Sequence, residues 1–420
     1  MIIDGLTSEK QDGRKRVSAR VQWEDCDRPP YELYFETSEH HARGFFSNPH
    51  AFLTGTIIPA FHYGERRISI QAEICPELLE GLDAVMRLFR YWYYPPGKKL
   101  VRVESKTMRS NTALMPQRRS GFFFSGGIDS FGTICANRMH YPADHPRRIT
   151  DAFIVHGLEQ DDPEKFEHLL DSLKEFDGEN GFTIIPVYTN VYLNFRKEDA
   201  VNAFKLWRYE FGGAALASVA HAFSQRDAIV SIASSSHLYE MEPWGTHPLV
   251  DAHFSSADMR IIHDGLTLTR LDKIRLVAGW DLALRHLRVC NRFANYRKDQ
   301  LNCGQCEKCV RTMLGLLAIG ALEKTNAFPV KDVSRELVLG NASKLHSLGL
   351  LKAMYQEIIP ELERRHRHDL VAAIEEVINP PEKSFLRTKI IQFDKKYLNS
   401  HLTKLKKRLS KRAANNNGFR

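Results

Sequence analysis

The sequence predicts an α/β protein: a parallel, doubly wound sheet preceded by an α+β unit and followed by a helical extension. Three observations carry this. Apolar strand-like runs alternate with helix-length segments from Ser120 to Ala233. A glycine-rich turn, Ser125–Ser130, joins the first of those runs to the first of those helices. Four of the seven cysteines, Cys290, Cys303, Cys306 and Cys309, fall within twenty residues of one another. Strands buried on both faces and spaced by helices are the mark of βαβ units, and such sheets bind ligands at the carboxyl ends of their strands.

The elements divide the chain at 1–118, 119–324 and 325–420. In the first part, Val17–Gln22, Tyr31–Phe35, Arg67–Gln71 and Leu100–Glu104 read as strands. Pro76–Tyr94 is an apolar-periodic helix, closed by a turn at Pro95–Gly97. In the second part the expected order is strand Gly121–Phe124, helix Asp129–Arg138, strand Asp151–His156 and helix Pro163–Phe176. Strand Phe182–Tyr188, the alanine-rich helix Phe204–Phe223 and strand Ala228–Ala233 follow. After about Lys324 the chain reads as helical, with a stop at Asn379-Pro380-Pro381. The remaining tail repeats Leu386, Ile390, Phe393, Tyr397, Leu402, Leu405 and Leu409 near helical spacing.

With 420 residues and 43% hydrophobic content, the chain can bury a full core without disulfide staples. It contains no apolar run of membrane-span length and opens on no apolar leader, so a cytoplasmic location is expected. The net charge of +8 is uneven. From Lys383 onward there are twelve Lys or Arg against one acid, a local +11 that leaves the rest at −3. Basicity therefore belongs to the tail, and the body gives no electrostatic argument for nucleic-acid binding. The tail offers a basic face to a protein, an acidic lipid or RNA.

The turn Ser125-Gly126-Gly127-Ile128-Asp129-Ser130 carries the strongest chemical signal. Two glycines let the backbone bend tightly and approach a ligand closely. The amides of the turn and of the helix behind it converge on one spot and suit an anion. Ser125 and Ser130 add hydroxyls. Asp129 is a helix cap or a group that orients Mg²⁺ on a phosphate. The Gly-Lys-Ser/Thr ending of a Walker loop is missing.

This turn resembles the SGGxDS signature of the PP-loop ATP pyrophosphatases. The resemblance implies a five-stranded adenine-nucleotide α-hydrolase-like sheet. It also implies cleavage of ATP between its α and β phosphates, with AMP passed to a substrate oxygen that a nucleophile then displaces. Ser125, Gly126, Gly127, Ile128, Asp129 and Ser130 would hold the nucleotide, and Asp129, Ser130 and Lys273 would be catalytic. Lys273 would meet the α-phosphate or the acyl-adenylate; as a plain structural residue it is a helix-start lysine paired with Asp272.

The cysteines supply four thiolates in the pattern C-x12-C-x2-C-x2-C, with Gly304 permitting a tight knuckle. Four thiolates suit a closed, structural tetrahedral Zn²⁺ site; an iron–sulfur cluster is the other reading of the same ligands. Together, turn and knuckle resemble the 7-cyano-7-deazaguanine synthase branch, over roughly Ser120 to Leu322. That branch activates a carboxylate with ATP, forms an amide with ammonia and dehydrates it to a nitrile. Thr269-Arg270-Leu271-Asp272-Lys273 resembles its region before the cysteines. The branch's purine-site motifs are absent, and the flanking 118 and 100 residues are additions.

The expected function is thus an AMP-forming C–N ligase with ATP, Mg²⁺ and Zn²⁺, acting on a deazapurine-like or other small carboxylate with ammonia or an amine as acceptor. Arg208, Glu210, Ser234, Ser235 and Ser236 are the expected substrate-binding residues, from their places after the third and fourth strands; a solvated Arg208–Glu210 pair is the plain alternative. His237 and His247 read as polar loop residues. Other readings are a PP-loop tRNA-modifying sulfur transferase using Cys135 and a nucleotide-binding protein without turnover. A homodimer is left open.

Overall fold

The computed structural model describes residues 1–107, 119–158, 161–177, 182–196, 200–290, 300–341 and 349–379. The basic tail beyond Asn379, and the contacts expected of it, lie outside the described residues.

Strands of the second region alternate between two buried faces. In β6 (Arg119–Phe123) and β7 (Ile149–His156), Phe122, Ala152 and Ile154 point into one core, while Phe153 and Val155 point into the other. In β8 (Thr183–Thr189), Ile184 joins the first set and Ile185 and Val187 the second. A strand apolar on both sides cannot face water on either, so both faces are covered. Helix α3 (Ile128–His140) covers one of them with Ile128, Phe131 and Ile134. The helix Gly212–Ala222, whose alanines allow close approach, covers the other. β9 (Asp227–Ala233) and β10 (Arg260–Asp264) complete a parallel set in the order β10-β9-β6-β7-β8. β10 is short and was not anticipated.

The sheet does not stop at β8. Its far edge pairs antiparallel with β3 (Tyr31–Ser38), through Phe35 opposite Thr189 and Glu36 opposite Tyr188. β3 continues into β2 (Arg14–Gln22), β1 (Ile2–Gln11), β4 (Arg67–Ile74) and β5 (Arg102–Thr107), giving one sheet of ten strands, mostly parallel. The β1–β2 hairpin turns on Asp12 and Gly13, both at positive φ. The apolar face of the N-terminal strands carries Val17, Ala19, Val21, Leu33 and Phe35 and shares one core with helices α1 (Pro49–Tyr63) and α2 (Pro76–Tyr93). Ile57 and Phe61 of α1 share one continuous core with Ala214 and Ala217. Within it, His50 of α1 and His221 lie with ring centroids 5.6 Å apart.

The helix Phe204–Phe223 expected from sequence is interrupted. Ala200–Leu206 is α-helical, Trp207–Phe211 widens into a π turn, and the α-helix resumes at Gly212. The widening goes with a close approach: Gly213 N–H donates to the Gly245 carbonyl at 2.7 Å, and Gly245 N–H to the Arg208 carbonyl at 2.8 Å. A side chain on Gly213 would collide with the Asp251 carboxylate and the Gly245 carbonyl, each 2.5 Å from where its Cβ would stand. Beyond Lys324 the described elements are helical, ending with His368–Ile378. They close over the core that supports α3, with Tyr355, Leu362, Leu370 and Ile374 fully buried in it.

Candidate functional site

β6 delivers the chain to the turn, and α3 begins at Ile128 with Gly127 as its cap. Gly126 has φ +72°, a conformation open to glycine at little cost. The turn is internally braced. Ser130 Oγ donates to the Gly127 carbonyl (3.1 Å) and lies 3.3 Å from Ser125 Oγ, which accepts from Gly127 N–H (3.3 Å). The Gly126 carbonyl accepts from Arg288 N–H at 2.8 Å. Ser125 is exposed and Gly127 and Asp129 half-buried, so the turn reaches solvent at the carboxyl edge of the parallel strands. The first amides of α3 lack intrahelical acceptors there, which is the usual arrangement for holding an anion.

Basic groups converge on Asp129. Its Oδ1 lies 2.8 Å from Arg270 Nη1 and 3.5 Å from Lys273 Nζ. Burial would raise the Asp129 carboxyl, but Arg270, Lys273, Arg311 and Lys308 outweigh it and hold the group below the usual carboxylate range. Lys273 is 2% exposed and donates to the Ser234 carbonyl at 2.6 Å; burial pulls it below the ordinary lysine value. It does not pair with its neighbour Asp272. That carboxylate closes a capping box with Thr269 and bonds Arg275. Arg311, on the helix Glu307–Ala318, is buried and ion-paired with Glu307 at 2.8 Å. The buried Nε of Arg270 makes no hydrogen bond among the described residues. The residues named here carry more positive than negative charge, a setting that favours a bound anion.

Of the expected substrate residues, Ser234 joins this cluster through its carbonyl. Its hydroxyl donates to the Ser236 carbonyl (2.7 Å), and Ser235 is exposed beside it. Arg208 stacks over Trp244, 4.5 Å from the ring centroid, and Trp244 packs on the core beneath α3. Glu210 turns toward the N-terminal elements instead. It is 6% exposed, accepts from Tyr94 Oη at 2.5 Å and sits 3.0 Å from His62 Nδ1. Arg208 and Glu210 therefore do not form the solvated pair considered from sequence. His237 and His247 each accept from a backbone amide two residues on, as caps of short turns.

The four cysteine sulfurs all lie within 4.8 Å of one another. Cys290–Cys306 and Cys303–Cys309 are 3.9 Å apart, and Cys306–Cys309 3.4 Å. A tetrahedral ion with metal–sulfur bonds of about 2.3 Å sets its sulfurs about 3.8 Å apart. The donor set thus fits one metal ion such as zinc, and it is too tight for a multi-iron cluster. Gly304 at φ +68° makes the knuckle, and Cys306 N–H points at Cys303 Sγ (3.4 Å). Asn302 fastens the two arms. Its Oδ1 accepts from Val289 and Cys290 N–H (2.8 and 3.1 Å), and its Nδ2 donates to the Leu287 and Ala327 carbonyls (both 2.8 Å). The segment so fixed is the one whose Arg288 amide holds Gly126.

Sequence reasoning did not assign Arg270 and Arg311. Arg270 lies inside the stretch singled out before the cysteines, and Arg311 two residues after the last of them, so both could have been found as the charges flanking those motifs. His62 and Tyr94 carried no local signal. Comparison of the chain with family models, curated proteins and solved structures returned no match.

Proposed function

We propose that the chain is an ATP-dependent, AMP-forming ligase that adenylates a small carboxylate and passes the acyl group to ammonia or an amine. The observation that carries this reading is the cluster at the turn: Lys273 spans from the Ser234 carbonyl at the end of β9 to Asp129 at the head of α3. A triphosphate on the α3 amides would meet Lys273 and Arg270 beside it. Fixed donors and cations placed where phosphate charge develops stabilise pyrophosphate departure. On this reading the parallel strands β10-β9-β6-β7-β8 form an adenine-nucleotide α-hydrolase-like sheet. Ser125–Ser130 hold ATP, Mg²⁺ supplies further charge neutralisation on the phosphates, and Arg208 and Ser234–Ser236 border the acyl substrate. Asp129, held by two cations, positions them. The four cysteines hold Zn²⁺ and keep the 288–290 segment against the turn.

The sulfur-transferase alternative draws less support. Cys135 is buried inside α3, and burial pushes its thiol up to about 11, away from the thiolate that such chemistry needs. The test is isotope exchange between pyrophosphate and ATP with acetate, benzoate, nicotinate and 7-carboxy-7-deazaguanine. Acid-dependent exchange, with AMP formed on adding amine, is expected. ADP and phosphate as products, or no exchange with any acid, would set the reading aside.

A further inference from the structure

Buried Glu210 and the half-buried His62 and Tyr94 form a polar cluster that the loop chemistry does not use. His62 comes from the last turn of α1, Tyr94 from the end of α2 and Glu210 from the π turn. Their placement fixes the protons. Tyr94 Oη lies 2.5 Å from Glu210 Oε2, so its hydroxyl proton is committed to that carboxylate. His62 Nδ1 then faces two acceptors, Glu210 Oε1 at 3.0 Å and Tyr94 Oη at 2.8 Å, and must carry a proton. The lone pair of neutral His62 is on Nε2, which takes no hydrogen bond among the described residues, on a side chain 29% exposed. A carboxylate that fixes an imidazole's tautomer and leaves the other nitrogen open is the arrangement of a general base.

The cluster stands on the same rim as the phosphate turn. β8 ends at Thr189 on the carboxyl edge, and the helix Gly212–Ala222, which leads back to the start of the parallel strand β9, begins on that edge just after Glu210. The π turn is tied through Gly245 to the loop that leaves β9, and Ser234 at the start of that loop is held by Lys273. Lys98 borders the cluster and donates to the His62 carbonyl at 3.2 Å. Tyr93 packs against Tyr209, with centroids 5.9 Å apart.

Resting on the ligase reading above, we propose that His62 Nε2 is the base that deprotonates the amine attacking the acyl-adenylate, with Glu210 and Tyr94 as its positioning residues. The amine arrives as an alkylammonium and gives one proton to Nε2. Its freed lone pair forms the C–N bond to the acyl carbon. The bond from that carbon to the AMP oxygen breaks with its electron pair leaving on AMP, and the second nitrogen proton passes to solvent.

The experiment compares two nucleophiles in the full-length chain, using whichever acid of the set above drives exchange. Methylamine is protonated near neutral pH and needs a base; hydroxylamine is mostly unprotonated and does not. In His62→Gln, pyrophosphate exchange stays within about 2-fold of wild type, which also reports folding. Methylamine-dependent AMP release falls about 100-fold, while hydroxylamine-dependent release falls less than about 3-fold. Glu210→Gln, which keeps an acceptor for Tyr94, gives the same pattern at about 10-fold. Equal losses with both nucleophiles, or no loss with methylamine, would overturn the proposal and leave the ligase reading standing. Failure of the wild type to exchange with any acid removes both.

Discussion

The ammonium of Lys273 stands 3.5 Å from the carboxylate of Asp129, and both belong to the cluster of charges at the head of α3. The pair joins two chain segments 144 residues apart in the sequence, so neither side chain has a local reason to be where it is. Lys273→Met is expected to lower acid-dependent pyrophosphate exchange by about 100-fold or more, with Lys273→Arg intermediate. The thermal midpoint should drop only modestly, because Arg270 still neutralises Asp129 at 2.8 Å and no buried charge is orphaned. Exchange assays and calorimetry on the two variants measure both effects.

Cys306→Ser should abolish metal retention. Elemental analysis of the purified wild type is expected to give one zinc per chain and of the variant none. Because Arg288 N–H holds the Gly126 carbonyl, losing the metal should also weaken binding at the turn. Titration with a nucleotide should show about a 10-fold loss of affinity, a factor worth about 1.4 kcal/mol. Unchanged affinity in the metal-free protein would separate the knuckle from the turn.

Asn302 makes four hydrogen bonds from a buried position, two accepted and two donated. Asn302→Ala leaves buried backbone groups without partners and should cost about 2–4 kcal/mol. The denaturant midpoint should fall at unchanged slope. Asn302→Asp preserves the two accepted bonds and loses the donated ones, so it should fall between wild type and alanine only if zinc is still retained.

Burial holds His50 down to about 4 and His221 down to about 3, and each is neutral in the folded chain near pH 7. His50 Nε2 accepts from Cys75 N–H at 3.0 Å, while His221 Nε2 donates to the Phe254 carbonyl at 2.8 Å. An unfolded histidine titrates near 6.5. Between pH 6.5 and 4 the unfolded chain therefore binds more protons, so stability falls as pH falls through that window and is flat above it. The loss amounts to roughly 3 kcal/mol or more per ring. Urea melts at pH 7.5, 6 and 5 should show it, and His50→Asn should remove about one proton from the slope.

The parallel strands were legible because each is a short apolar run between turn signals, and the phosphate turn because glycine and serine at those positions have few other uses. Helix α1 was not read. Its residues from His50 through Phe61 are all buried, so the sequence shows no polar face and no helical period. β1 was missed because most of it faces water, although Asp12-Gly13 is a hairpin signal that reads from sequence alone. The cysteine spacing gave the knuckle. What it does not give is that Asn302 and Arg288 connect the knuckle to the turn, since those bonds depend on tertiary folding. Glu210 was singled out for its place after β8, yet its partners come from residues more than 110 positions earlier.

The β3–β8 seam has a consequence for how the gene can be cut. Residues 119–379 made without the first 107 would present β8 as a naked edge, with Thr189 and Tyr188 deprived of Phe35 and Glu36. Such an edge recruits whatever strand comes near it. Swapping the leading strands for those of another protein is therefore no free exchange of modules: a graft must supply a matching antiparallel border, or the recipient will precipitate.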